Sequence, residues 1–146
     1  MSATLTGSYD PSQVVVTVGA LILSGFSDGD SIMAERYEDN ASMRVGIDGA
    51  VGRARNANKT GFFTFRLLST GSVNTQLSAL FALDNLSEDA GVVVPIAIYD
   101  GSGTDLAVAT KAWLKKSPSL TKGKDVGENE WVFDAADMKI FLGGNN

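Results

Sequence analysis

Asp28, Asp30, Glu35, Glu38 and Asp39 are the densest set of carboxylates in a chain of 146 residues. Acids grouped in this way are the raw material of a calcium site, or of the acid and nucleophile of a glycosidase. Their spacing fits neither an EF-hand nor another known ligand loop, and solvated loop acids are the simpler reading. Residue types close off most other chemistry. The chain has no histidine and no cysteine, which removes Ser-His-Asp and Cys-His nucleophiles, histidine bases, thiolate metal sites and disulfides together. A metal could find oxygen ligands alone, and nothing in the sequence calls for a metal or cofactor. The glycine-rich stretches 25–29 and 101–103 lack both the strand-loop-helix order and the following lysine-serine pair of a phosphate cradle.

Charge is the next constraint. Lys and Arg number 12 against 17 Asp and Glu, a formal net charge of −5, which argues against gripping nucleic acid by phosphate neutralisation. The signs come in blocks. Residues 1–34 carry Asp10, Asp28 and Asp30 without a base, whereas 35–60 set Arg36, Arg44, Arg53, Arg55 and Lys59 against four acids. Residues 61–110 are acidic again, with Arg66 their sole base; Lys111, Lys115, Lys116, Lys122 and Lys124 then face Asp125 alone before an acidic tail. Two readings stand: solvated faces that keep the chain soluble, or patches of opposite sign by which copies of one chain recognise each other head to tail. Trp113, among the lysines of 111–124, is either a core anchor against a helix or a contact for a partner. A stacking role on nucleic acid is a weaker third reading.

These side chains must be held by a β-rich scaffold. Residues 13–18 and 21–24 are β-branched and aliphatic, and Gly19-Ala20 between them suits a two-residue hairpin loop with glycine where φ is positive. After the turn signal Asp28-Gly29-Asp30, Ile32, Ala34 and Arg36 alternate with Met33, Glu35 and Tyr37 as in a strand. Residues 38–60 hold almost no large apolar side chains. Within them Asp48-Gly49 sits between 43–47 and 50–53 as a hairpin tip would, and a long excursion so poor in core residues is usually functional or disordered. Residues 62–68 form a strand with Phe63, Phe65 and Leu67 on one face. A single helix is expected over 72–90, capped by Ser72, with Val73, Leu77, Leu80, Phe81 and Asp84 on one side and Ala79, Leu83 and Leu86 widening the apolar stripe.

Residues 92–99 are a nearly continuous apolar strand in which Pro95 points to an edge position or a bulge. The turn 100–103 returns the chain into 106–116, with Leu106, Val108, Thr110, Ala112 and Leu114 on one face and Lys111, Trp113 and Lys115 on the other. Residues 130–142 close the chain with Trp131, Phe133, Ala136, Met138, Ile140 and Leu142 on one side, provided a bulge at Ala135-Ala136 absorbs one residue. The whole reads as mainly β, an antiparallel β-sandwich or partly closed barrel with one flanking α-helix and an extended β-hairpin loop. A mass of 15.3 kDa suits one domain over 1–146, since folding at this size buries roughly 70% of the unfolded surface. The apolar runs 14–23 and 92–99 are too short to span a membrane and are broken by Thr17, Gly19 and Pro95. Arg36 is the first base, so neither a secretory signal nor a transit peptide is expected.

Several strings together resemble a known family. They are Met1-Ser2-Ala3-Thr4, Val14-Val15-Val16-Thr17-Val18-Gly19, Gly25-Phe26-Ser27-Asp28-Gly29, Glu35-Arg36-Tyr37-Glu38-Asp39, Gly46-Ile47-Asp48-Gly49, Trp113-Leu114-Lys115-Lys116-Ser117-Pro118 and Phe141-Leu142-Gly143-Gly144-Asn145-Asn146. In order and length they are similar to the tail tube proteins of contractile-tailed bacteriophages, over nearly the whole chain. The resemblance implies a structural protein of the virion tail, assembled in the host cytoplasm, without enzyme activity or cofactor. Six copies would close a ring through a shared inner β-barrel, and rings would stack head to tail inside a contractile sheath as the conduit for DNA ejection. Its partners would be itself, the tail sheath, tape measure, baseplate and tail terminator proteins, and DNA in transit that is not bound specifically; no membrane is implied.

On that reading the hairpin 38–60 is the inter-ring loop, with Arg44, Asp48, Arg53, Arg55 and Lys59 as contact residues. Glu35 and Asp48 are candidate lumen acids, Trp113 a subunit contact, and the polar terminal segments further ring contacts. An acidic wall that repels phosphate would let a duplex pass without holding it. The alternatives are a monomeric β-sandwich binding module, an enzyme using carboxylates alone, and the tube protein of a related system such as a contractile bacteriocin or type VI secretion.

Overall fold

The computed structural model describes residue 4, residues 7–86 and residues 92–143, with the backbone alone for 83–86. The strings 1–3 and 144–146, the expected helix end at 87–90 and the side chains of Leu83, Asp84 and Leu86 lie outside the described residues. The elements run β1 (Val14–Val18), β2 (Leu21–Ile22), β3 (Ile32–Arg36), β4 (Ala41–Val45), β5 (Val51–Arg55), β6 (Gly61–Leu68), α1 (Val73–Leu86), β7 (Val94–Asp100), β8 (Leu106–Lys116), β9 (Glu128–Ala135) and β10 (Met138–Phe141). Eight of the strands form one antiparallel sheet in the order β2-β1-β7-β8-β9-β6-β3, with β10 also paired to β8. The sheet is not closed into a barrel, and its inward faces share one core, consistent with a β-sandwich. Strands β4 and β5 form a separate two-stranded sheet.

Alternation along each strand decides which side chains reach the core. Val16 and Val18 of β1, Phe63, Phe65 and Leu67 of β6, and Trp131 and Phe133 of β9 point inward and are buried. Leu77 and Phe81 of α1 are buried with them; the Phe81 and Phe133 rings meet at 5.3 Å between centroids, tilted as aromatic pairs prefer. The Trp131 indole N–H finds its acceptor on the helix, Asn74 Oδ1 at 3.0 Å. Gly19 turns β1 into β2 at φ +60, and the Glu35 and Met33 side chains of β3 face away from the core as expected.

Three details of the expected strands are corrected. Pro95 does not mark an edge, because β7 lies between β1 and β8; it marks the bulge, where the β7–β8 register shifts between Val94 and Ile96. The extra residue is on β8, whose partners step from Ala112 to Ala109. Thr110 and Lys111 are therefore both exposed, and the inward set of β8 is Ala107, Ala109, Ala112 and Leu114 instead of Leu106 and Val108. The bulge expected at Ala135-Ala136 falls one residue later. Ala135 is buried, Ala136 and Asp137 are exposed and Met138 is buried, so β9 and β10 follow one edge of β8 across a kink. On the helix Ala79 is exposed and does not widen the buried stripe.

Candidate functional site

A β-hairpin needs a third strand or a packed face to be stable alone, and β4 and β5 have neither among the described residues. Every residue of both strands is exposed. Five register pairs run from Ala41↔Arg55 at the base to Val45↔Val51 near the tip. Gly49 at φ +86 makes the reversal, and Asp48 Oδ1 accepts the Ala50 N–H at 3.1 Å. The tip sequence Ile47-Asp48-Gly49 is thus a turn built by its own residues. Ile47 beside it is fully exposed.

The root of the hairpin is fixed by polar side chains. Asn56 Nδ2 donates to Glu38 Oε2 at 2.8 Å and to the Asp39 carbonyl at 2.9 Å. Asn56 Oδ1 accepts the Asn58 N–H at 2.9 Å, and Asn58 Oδ1 accepts the Thr60 N–H at 3.0 Å. The Arg36 guanidinium joins the root to the sheet, donating to Asn40 Oδ1 and, at 3.1 Å, to the Met138 carbonyl. Sequence reasoning passed over these asparagines. Their signal was present in the i, i+2 spacing of Asn56, Asn58 and Thr60, which is that of successive Asx turns.

The residues expected to act together are only partly brought together. Arg53 and Arg55 share one hairpin face, since they pair with Met43 and Ala41, while Arg44 pairs with Gly52 on the other. Arg44, Arg53 and Arg55 make no ion pair or side-chain hydrogen bond among the described residues. Asp48 is at the tip. Lys59 stands apart from all of these, half-buried beside β10, where its carbonyl accepts the Met138 N–H at 2.9 Å. Glu35 is exposed on β3, paired in register with Phe62.

Trp113 is exposed on the outer face of β8, opposite Asp134, so it does not anchor the core against the helix. Beside it Lys115 Nζ donates to the Tyr37 hydroxyl at 3.1 Å and lies 5.4 Å from the centre of the Tyr37 ring. The Tyr37 hydroxyl in turn donates to Asp134. Burial pushes the Tyr37 phenol above its ordinary 10.0, with the Asp134 hydrogen bond adding to the effect. The hydrogen bond to Tyr37 raises the Lys115 ammonium above its ordinary 10.5. The densest acids, Asp28 to Asp39, do not converge, and among the described residues no group of three metal-ligating side chains could hold an ion. No helix of the described residues is long and apolar enough to cross a membrane.

The described residues thus form an open antiparallel sheet with one packed helix and a basic hairpin that none of the other described residues covers. Residues 8–143 match the family model described as Bacteriophage PhiTE tail tube protein, and the chain belongs to that family. It is 27% identical to "Structural protein ORF10" of Pseudomonas phage KPP10, over 96% of this chain and 84% of that protein. Among solved structures it resembles a chain of the PVC extracellular contractile injection system, in its sheath-tube complex in the extended state. The TM-score is 0.66 at 13% identity, over 94% of this chain and 93% of that one. A chain of the anti-feeding prophage tube-terminating cap superposes with a TM-score of 0.60 at 11% identity, covering 97% and 95%. At such identities these two show a shared fold. The family is that of a structural tail tube protein.

Proposed function

We propose that this chain builds the tube of a contractile phage tail: six copies close a ring, rings stack head to tail, and the tube conducts DNA into the host. The observation that carries the stacking is the hairpin, an apolar and basic arm that no other described residue of its own chain covers. Head-to-tail contact between unlike surfaces builds an open filament instead of a closed dimer. Family membership supports the tube, and the likeness to a chain of a sheath-tube complex supports a contractile sheath around it. Tape measure, baseplate and terminator proteins are the further partners, and assembly takes place in the host cytoplasm. Glu35 and Asp48, both exposed, are proposed to face the lumen, where negative charge keeps the duplex from sticking. Trp113 is proposed as a contact between subunits, because an indole on a polar face is costly to leave in water. Tubes of related contractile injection systems are the second reading, favoured by the same structural likeness.

Deletion of residues 40–58 tests the hairpin's role. The shortened chain should stay soluble as rings or monomers and lose all long particles in the electron microscope. Tubes of ordinary length from the shortened chain would remove the hairpin from the assembly.

A further inference from the structure

The hairpin has two unlike faces. Register puts Met43 with Arg53, Val45 with Val51 and Ala41 with Arg55 on one of them, and Ser42, Ala54, Arg44 and Gly52 on the other. The first is the apolar face, with Met43 71%, Val45 57% and Val51 63% exposed. A second bare apolar surface lies on the sheet. Val15 pairs with Tyr99, Tyr99 with Leu106 and Leu106 with Phe141, so the four stand in one row across β1, β7, β8 and β10. Directly paired side chains share a face, and these are 42%, 52%, 38% and 61% exposed in that order.

Size and charge match the two surfaces. Four strands spaced about 4.8 Å apart make a row about 14 Å wide, and Met43 to Ile47 spans about 14 Å at roughly 3.4 Å per residue. Two acids lie near the end of the row where β7 turns into β8: Asp105 immediately precedes Leu106, and Asp10, whose carboxylate accepts from the Ser12 N–H and hydroxyl, reaches Ser102 Oγ with its own N–H at 3.3 Å. Arg53 and Arg55 border the hairpin's apolar face without an ion pair among the described residues. The face around Trp113 fits less well, because its charges are already satisfied at home. Arg66 pairs with Glu130 at 3.3 Å, and Lys115, Tyr37 and Asp134 form a chain of hydrogen bonds. Since both bare surfaces are exposed within one chain, they do not cover each other there.

We propose that the Met43–Val45–Val51 face of one copy docks on the Val15–Tyr99–Leu106–Phe141 row of the next, with Arg53 and Arg55 toward Asp10 and Asp105. This rests on the stacking reading and names the surface that receives the hairpin. The absence of cysteine makes a clean test available, because introduced thiols are the only ones. A Val45→Cys/Tyr99→Cys variant, treated as assembled tubes with a short bis-maleimide able to bridge the ~10 Å between packed sheets, should give a ladder of covalent multimers. Ser42→Cys/Tyr99→Cys, on the opposite hairpin face, should give none or at least tenfold less. No ladder from the first pair in tubes seen by microscopy, or equal ladders from both, would overturn the proposal. As an arm that needs no cross-link, Tyr99→Asp should keep the wild-type circular dichroism and lose at least tenfold in sedimentable tubes; undiminished tubes would also overturn it. Loss of tubes on hairpin deletion with no loss in Tyr99→Asp would sink this surface alone. Tubes surviving hairpin deletion would sink the stacking reading beneath it.

Discussion

Tyr37 shows how single residues at the hairpin's root carry more than their type suggests. Its hydroxyl receives a hydrogen bond from Lys115 and gives one to Asp134, and its ring stands 5.1 Å from that of Phe62. Both titrating groups bind their protons more tightly in the folded chain, so their contribution to stability is complete below the unfolded values. It declines as pH rises through the raised folded ones. Thermal unfolding followed from pH 8 to pH 11 should therefore show stability falling once pH passes the ordinary phenol value of 10.0. Tyr37→Phe should flatten that fall, and an unchanged slope would detach it from this cluster. Little of this was legible beforehand. The sequence placed Lys115 correctly on a strand but carried the β3 pattern through Tyr37, which the structure puts in the bend just after Arg36. Their meeting depends on the β8–β9–β6–β3 register, which a single chain of letters does not display. The alternation with Ala112 and Leu114 already put Trp113 on the opposite face, and the structure keeps it there, exposed.

Bulges are where the elements depart from simple alternation, and each departure has a residue behind it. The β1–β2 hairpin, strand β6 and the exposed β4–β5 arm were readable, because glycine turns and period-2 patterns announce them. The inward set of β8 was half wrong because an extra residue reverses the faces from that point on. Pro95 signalled this disruption on the neighbouring strand, and the disruption proved to be the bulge, not an edge. The kink between β9 and β10 was foreseen in kind and missed by one residue. A close approach shows what this geometry demands of the sequence: a Cβ at Gly61 would lie 2.6 Å from the Glu35 carbonyl oxygen and 2.6 Å from Met138 Sδ. The carbonyl belongs to the paired strand and cannot swing aside. Gly61→Ala should destabilise the fold by about 1–3 kcal/mol, seen as a melting point lower by about 3–10 °C. An unchanged melting point would mean that β3 and β10 pack more loosely on β6.

For the whole molecule, the opening absences and the charge pattern acquire a single explanation. The proposed conduit needs neither histidine nor cysteine, and a net charge of −5 suits a wall along which DNA passes without sticking. On the proposed function such a subunit must recognise itself, and the fold offers two exposed surfaces for it: a basic, apolar arm and an apolar row across four strands. Family membership was legible from short strings spread along the chain, whereas the receiving surface was not, since its four residues come from four strands remote in sequence. The most direct test of the account is cryo-electron microscopy of the purified full-length chain at high concentration. The account predicts rings of six subunits stacked into tubes with a continuous lumen. A monodisperse monomer under the same conditions, or rings of another symmetry without a lumen, would contradict it.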